Sequence, residues 1–202
     1  DGAGTSASAE LVDTGRRRCV VRLGAPEPDR VESGLSLHLG LALARGERMD
    51  LALQKACELG VSCISLLQTE RMELKLDARR LENRMQHWQG VLIHAAQQSG
   101  RSRIPQLDPP QDPNAFVATL PEGGLRLALD PGGEPLSAAG AAAPEVVVLV
   151  TGPEGGLSTR DLDHLDAGGF HRVRLGPRVL RAETAPLAAL AVVQWLWGDL
   201  AS

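Results

Sequence analysis

The sequence is poor in aromatic residues and cysteine, and it has no long hydrophobic run. Three Trp, two Phe and no Tyr stand among 202 residues, so the aromatic platforms of many single-strand RNA binders are not expected. Cys19, Cys57 and Cys63 form no C-x-x-C pair and are odd in number, which argues against a disulfide framework or a zinc site and favours a reducing compartment. No apolar run reaches the roughly 18 residues of a membrane helix, and no signal-peptide pattern is present. We therefore expect a soluble, cytoplasmic protein.

The remaining composition is that of an ordinary globular protein, with 43% apolar and 23% charged residues. The length fits one domain, or one domain with a fragment of another. A net charge of -4 discourages a nucleic-acid partner, but between Arg71 and Arg103 there are seven basic residues against three acidic ones. This local excess can meet phosphates. From charge alone, a solvated helix face without a partner is the favoured alternative.

The first part of the chain predicts two strands and a connector. Residues 1–10 are small and polar without a core-forming pattern, whereas residues 18–23 and 35–43 read as strands. The second has leucine at every other position, which is typical of a strand with one buried face. Residues 24–34 hold Pro, Gly and charges, so we predict a connector with a domain boundary near Ser33.

The rest of the chain alternates between helical and strand patterns. This alternation predicts a parallel sheet flanked by helices, with ligands at the carboxyl ends of the strands. The predicted helices are 47–59, 77–99, 113–119, one from 159, and about 182–197; the predicted strands are 61–67, 125–129, 146–150 and 172–175.

A glycine-rich loop, residues 151–158, directly follows the apolar strand 146–150. Its three glycines can adopt positive φ and let a ligand approach the backbone without a Cβ in the way, and its proline favours a turn. Ser158 and Asp161 form an S-x-x-D capping box for the next helix. The segment matches neither the dinucleotide fingerprint nor a phosphate-binding G-K-[ST] loop. A structural turn and a ligand loop are about equally supported.

A second loop, L-G-P-R-V-L-R-A-E-T-A at residues 175–185, again joins a strand to a helix. Arg178, Arg181 and Glu183 are costly at the mouth of a site unless they bind a ligand, pair or face water. The alternative is a purely structural role, in which Arg181 and Glu183 form a surface salt bridge.

The pair of loops resembles the RsmE family of bacterial 16S ribosomal RNA uridine methyltransferases, which belong to the SPOUT class of S-adenosylmethionine-dependent enzymes. The likeness extends from about residue 35 to 197. It includes the upstream segments R-G-E-R-M at 45–49, Q-K-A-x-E-L-G-V at 54–61, T-E-R at 69–71 and Q-S-G-R at 98–101.

The resemblance implies an α/β fold with a SPOUT-type parallel sheet and a C-terminal trefoil knot, preceded by a PUA-like RNA-binding β-barrel. The chain opens in what looks like the middle of that barrel, so residues 1–32 are expected to be part of it and residues 33–202 the methyltransferase domain. The expected reaction is methylation of nitrogen 3 of a uridine in 16S ribosomal RNA of the small subunit, during ribosome biogenesis. A homodimer is expected, with part of the apolar C-terminal helix at its interface; simple packing of this helix on the sheet is the alternative.

The resemblance also assigns roles to residues. Arg181 and Glu183 are the catalytic candidates. S-adenosylmethionine contacts are expected from Leu129, Gly152, Pro153, Glu154, Gly155, Leu175, Gly176, Leu180 and Arg181. The RNA contacts are expected from Arg71, Lys75, Arg79, Arg80, Arg84 and Arg101. No metal is expected, since His87 and His94 share a helix face without a metal-binding motif.

Two residues depart from the family pattern, because Gln97 and Asp161 stand where the family usually has glutamate. Asp161 preserves capping, whereas Gln97 removes a charge. A non-catalytic knotted RNA-binding protein is therefore one alternative, and a SPOUT methyltransferase acting on a different RNA nucleotide is another.

Overall fold

The protein consists of a two-stranded antiparallel ribbon followed by a six-stranded parallel sheet with helices on both faces. The computed structural model describes residues 2–27, 31–72, 77–138 and 143–201. The ribbon is β1 (Ser6–Thr14) and β2 (Cys19–Glu27). The sheet strands are β3 (Ser36–Ala42), β4 (Cys63–Leu67), β5 (Gln106–Gln111), β6 (Leu125–Pro135), β7 (Val146–Thr151) and β8 (His171–Arg174). The helices are α1 (Glu47–Glu58), α2 (Ala78–Ser99), α3 (Pro113–Thr119), α4 (Thr159–Ala167) and α5 (Thr184–Trp197).

The strand order in the sheet is β5-β4-β3-β7-β6-β8, and every pairing is parallel. The predicted parallel sheet is therefore confirmed. Helices α1, α2 and α5 pack with the leucines of β3 that point to one face, and α3 and α4 cover the other face. The prediction that β3 buries only one face is wrong, because a Cβ at Gly40 would meet Val150 at 2.8 Å and Phe116 at 3.2 Å.

The helix boundaries follow local sequence signals. Helix α2 begins after Asp77, whose side chain accepts a hydrogen bond from the backbone N–H of Arg80, and it ends at Gly100 with φ 76°. Helix α3 begins in the same way after Asp112. These are the ordinary capping residues of helices, which is why the predicted helix positions are confirmed to within a few residues.

Two strands lie where none was predicted. Residues 6–14 form β1, although every residue of the β1–β2 ribbon is exposed, so no alternation of burial marks it in the sequence. Strand β5 has the sequence QLDPPQ and lies at the edge of the sheet, the position in which a strand tolerates proline. In addition, β2 continues to Glu27, into the predicted connector.

Strand β6 is longer than predicted. It continues beyond Leu129 to Pro135, with an irregularity in its pairing to β8 between Leu129 and Glu134. Residues 130–133, beyond the predicted strand end, therefore form a bulge within β6, beside the carboxyl end of β7. Bulges of this kind redirect side chains next to binding sites.

The ribbon joins the rest of the structure through backbone contacts near its start. Ile104 N–H donates to Gly2 O at 3.0 Å, and Gly4 N–H donates to Ser102 O at 3.0 Å. The ribbon exposes the apolar side chains of Leu11, Val21 and Leu23. Among the described residues, no helix combines the length and apolar character needed to cross a membrane.

Candidate active site

The two loops singled out in the sequence line one cavity of about 640 Å³ at the carboxyl ends of β7 and β8, beside the bulge of β6. The loop after β7, residues 152–158, forms one wall, and the loop after β8, residues 175–183, forms another. A volume of this size suits a ligand as large as a nucleoside cofactor.

The loop after β7 is held by the start of α4 and by the segment after β4. Ser158 and Asp161 make both hydrogen bonds of a capping box, as the sequence predicted. The carboxylate of Asp161, only 3% exposed, also accepts a hydrogen bond from the backbone N–H of Glu70. Arg71 donates to the carbonyl oxygens of Gly155 and Leu157 at 3.1 and 3.3 Å. The T-E-R segment therefore braces this loop.

Glycine is required in both loops by the backbone conformation. Gly156 has φ 69° and Gly176 has φ 71°, in the left-handed region that other residues rarely adopt. At Gly152 a Cβ would lie 2.8 Å from the backbone nitrogen of Leu157. The first loop therefore folds tightly on itself where it meets the cavity.

A chain of alternating charges connects the two loops. Arg48, at the start of α1, donates to the carboxylate of Glu154 at 2.7 Å, and its Nε lies 3.9 Å from the carboxylate of Glu183. On the other side of Glu183, Nη1 of Arg181 lies 3.9 Å from the same carboxylate. Glu183 is only 15% exposed, whereas Arg181 is 81% exposed. Arg181 is consequently placed to meet a ligand from solvent, with Glu183 beneath it.

All of the residues predicted to bind a cofactor, and both predicted catalytic residues, line this cavity: Leu129, Gly152, Pro153, Glu154, Gly155, Leu175, Gly176, Leu180, Arg181 and Glu183. The salt bridge foreseen between Arg181 and Glu183 is present as well. The guanidinium of Arg181 is exposed and lies 3.9 Å from the Glu183 carboxylate, so it is also available to a ligand.

The predicted RNA-binding residues do not form one surface. Arg79 and Arg80 are exposed at the start of α2, and Arg84 is half-buried one turn later. Arg71 lies at the cavity instead. Lys75 lies outside the described residues.

Arg101 requires a correction, because its side chain is 5% exposed and is paired with Glu32 at 2.6 Å. The guanidinium also donates to the carbonyl oxygens of Cys57 and Val61. All of these partners are protein atoms in the segment before β3 and at the end of α1. Arg101 is therefore a structural residue and not part of an exposed RNA surface.

Thr151 and Arg48 line the cavity although sequence reasoning gave them no role. Thr151 ends β7 and is 1% exposed, and its hydroxyl has no hydrogen-bond partner among the described residues. A buried hydroxyl without a partner beside a cavity is free to bond a ligand that enters it. The position of Thr151 at a strand end was the available signal, whereas nothing in the sequence pairs Arg48 with Glu154.

The fold and the cavity together define an α/β enzyme that binds its ligand at the carboxyl ends of parallel strands. A family model described as an RNA methyltransferase domain matches residues 31–194. The ribosomal RNA small subunit methyltransferase E of Buchnera aphidicola (subspecies Schizaphis graminum) is 30% identical over 170 residues, which are 84% of this chain and 69% of that protein. The chain therefore belongs to the RNA methyltransferase family and, within it, to the ribosomal RNA small subunit methyltransferase E family.

Solved structures support the same grouping. The chain resembles a ribosomal RNA small subunit methyltransferase E from Neisseria gonorrhoeae bound to S-adenosylmethionine, with a TM-score of 0.92 and 33% identity over 99% of this chain and 82% of that one. A protein from Legionella pneumophila, described as a methyltransferase in complex with the same cofactor, gives a TM-score of 0.92 and 37% identity with the same coverage. The resemblance inferred from the two loops is thus confirmed.

Proposed function

We propose that this protein transfers a methyl group from S-adenosylmethionine to nitrogen 3 of a uridine in 16S ribosomal RNA of the small subunit. The observation that carries this proposal is the convergence of both family loops on one cavity. Membership in the ribosomal RNA small subunit methyltransferase E family, together with cofactor-bound relatives of the same fold, supports the choice of donor and RNA. The reaction belongs to the cytoplasm, where small subunits are assembled.

The residues of the cavity fit the cofactor. The orphaned hydroxyl of Thr151 offers a hydrogen bond to a polar ligand, the glycines of the 152–156 turn let a ligand approach the backbone, and Leu129, Leu175 and Leu180 offer apolar surface. This mixture suits an adenosine that carries an amino-acid tail. When bound, S-adenosylmethionine supplies an activated methyl group on a positively charged sulfur.

Arg181 and Glu183 have distinct tasks in this proposal. Nitrogen 3 of uracil carries a proton and is a poor nucleophile until that proton is removed. Glu183 accepts the proton, and Arg181 stabilises the negative charge that develops on the uracil oxygens. Arg48 orients Glu183 and ties it to Glu154 in the other loop. The uridine must be unpaired or unstacked to present this edge.

Incubation of the protein with S-adenosylmethionine and small subunits from cells lacking this modification tests the proposal. Mass analysis of the digested 16S RNA should show one 3-methyluridine per molecule. A different methylated nucleotide would change the target, in keeping with the second alternative from the sequence. Cofactor binding by calorimetry without any methyl transfer would identify a non-catalytic RNA-binding protein, and the proposed reaction would then be wrong.

We assign residues 1–32 to part of a PUA-like RNA-binding barrel and residues 33–202 to the SPOUT domain. The exposed apolar residues of the β1–β2 ribbon support the first assignment, and the family match from residue 31 supports the boundary. Strand β6 lies between β7 and β8 in the sheet, and the loops that follow β7 and β8 meet at the cavity. This arrangement supports a trefoil knot there. Deletion of residues 1–30 tests the boundary: the shortened protein keeps the Glu32–Arg101 ion pair and should still fold and bind cofactor.

Arg79, Arg80 and Arg84 at the start of α2 form the proposed RNA face. Changing all three to Gln should weaken binding to 16S RNA about tenfold or more and reduce the slope of log affinity against log salt by about 2, because three phosphate contacts are lost. Filter binding at several salt concentrations measures both quantities. Arg160→Gln, which removes one exposed charge at the start of α4, is the control. Unchanged affinity and slope in the triple variant would return this surface to a solvated helix face.

The exposed apolar side chains of α5 support a homodimer. Val192, Trp195 and Leu196 are 38%, 62% and 47% exposed, and they lie on one helix within five residues. Large exposed apolar side chains grouped in this way are typical of protein interfaces. Sedimentation should give twice the mass of the 21.4 kDa chain, and Trp195→Glu should produce a monomer. A monomeric parent protein at micromolar concentration would contradict the proposed interface.

A further inference from the structure

A cluster of polar side chains lies on the other half of the sheet from the cofactor cavity. His38 on β3, Cys63 on β4 and Asp108 on β5 are brought together because their strands are neighbours in parallel register. One potential metal-ligating atom from each residue lies within 4.8 Å of the other two. All three residues are half-buried, so the cluster is shielded but reachable from solvent.

Hydrogen bonds hold these side chains in place. Ser65, fully buried, donates to Asp108 Oδ2 at 2.6 Å and accepts from His38 Nε2 at 3.0 Å. The Cys63 thiol points at the same carboxylate oxygen, with 3.5 Å between sulfur and oxygen. Gln106 fixes the other carboxylate oxygen at 2.7 Å, and the ring of His38 packs edge-on against Phe116 with centroids 5.4 Å apart. The candidate ligands are therefore oriented before any ion arrives.

The arrangement does not suit nucleophilic catalysis. Ser65 donates to the carboxylate, whereas a hydrolase serine donates to a histidine that the carboxylate orients. Burial and the neighbouring Asp108 raise the pKa of the Cys63 thiol to about 12, so this thiol is not an activated nucleophile.

We propose that His38, Cys63 and Asp108 bind one divalent transition-metal ion of zinc-like character, in a site separate from the cofactor cavity. One nitrogen, one sulfur and one oxygen donor form the mixed set that zinc accepts, and water or the Ser65 hydroxyl completes four ligands. Ligand atoms around zinc lie about 3.3 to 3.8 Å apart, so the side chains need to close by roughly 1 Å. On binding, the Cys63 thiol loses its proton to solvent and its sulfur bonds to the metal, while neutral His38 binds through the ring nitrogen that carries no proton.

A metal ion at this site would stabilise the attachment of the edge strand β5 to the sheet. Asp108 lies on β5, the last strand on this side of the sheet, and a metal bond would tie β5 to both β4 and β3. Excess Zn²⁺ should therefore raise the melting temperature of chelator-treated protein, by roughly 5 °C or more at a hundredfold excess over Kd.

Titration of the chelator-treated protein with Co²⁺ tests the site directly. One equivalent of Co²⁺ should produce a thiolate charge-transfer band together with the visible bands of tetrahedral cobalt, and Zn²⁺ should abolish them. Cys63→Ser should remove the charge-transfer band and the thermal shift produced by Zn²⁺. The matched control Cys19→Ser, which changes an exposed thiol on the ribbon, should leave both unchanged.

The remaining outcomes decide the proposal in either direction. Should Cys63→Ser fail to fold by circular dichroism, His38→Gln and Asp108→Asn provide the same test, with exposed His94→Gln as their control. Loss of stoichiometric Co²⁺ binding in these variants supports the site. A band that persists in Cys63→Ser, or the absence of one-to-one binding by the parent protein, overturns it. None of these readouts depends on methyl transfer, so the site stands or falls apart from the proposed function.

Discussion

Replacing Arg181 with alanine is expected to lower the rate of methyl transfer by about a hundredfold to a thousandfold at saturating cofactor and RNA. A loss of this size is typical when one group that stabilises developing negative charge is removed from an active site. Arg181 lines the cavity and is 81% exposed, and its ion-pair contact with Glu183 is 3.9 Å long. Its charge is therefore available to a uracil that enters from solvent.

The measurement must separate chemistry from binding, because Arg181 is also a predicted cofactor contact. Single-turnover rates give the chemical step, and calorimetry gives the affinity for S-adenosylmethionine. Arg181→Lys retains the charge and should restore part of the rate. Glu183→Gln should slow the same step and make it faster with rising pH, because hydroxide then has to remove the uracil proton. A full rate for Arg181→Ala would reduce the residue to a surface salt bridge.

Replacing Arg101 with methionine is expected to lower the free energy of unfolding by about 3 to 5 kcal/mol, the range for removing one partner of a buried ion pair. The side chain is 5% exposed and that of its partner Glu32 is 15% exposed. The substitution also strips the carbonyl oxygens of Cys57 and Val61 of their donor. The Glu32 carboxylate and these two carbonyl oxygens then lack their cationic partner, close to the end of α1.

Urea denaturation of the two proteins measures this difference. Arg22→Met is the matched control, since Arg22 pairs with Glu10 at 2.7 Å but both side chains are about 70% exposed. Exposed pairs contribute about 0 to 1 kcal/mol, so that variant should unfold almost like the parent. A loss below about 1 kcal/mol for Arg101→Met would contradict a structural role and reopen its assignment to RNA binding.

The sequence predicts those parts of the site that depend on neighbouring residues. The loops at 152–158 and 175–185 carry glycines at backbone positions that need them, and Ser158 caps the helix next to it, so local chemistry was sufficient there. Arg48 and Arg101 could not be placed in this way. Their partners Glu154 and Glu32 are distant in the chain, and only the packing of α1 and the strands brings them together.

The same distinction holds for the fold and for the metal site. A buried strand such as β7 can be predicted because its sequence is an apolar run. The exposed ribbon and the proline-bearing edge strand β5 have no such run and no alternation of apolar and polar residues. A search for ligands at short spacing cannot find His38, Cys63 and Asp108, because one residue comes from each of three strands. The order of the strands in the sheet cannot be predicted from the sequence of any single strand, so the proximity of these three residues cannot be predicted either.

The position of β7 also bears on how the protein is made. Leu39 of β3 pairs with Leu149 of β7, so about a hundred residues must leave the ribosome before β3 acquires this neighbour. Until then the nascent chain exposes an apolar strand edge, which favours aggregation. Pairing over such a separation is also slow. We therefore expect the yield of native protein to depend on translation speed and on chaperones that shield β3 until the last third of the chain has emerged.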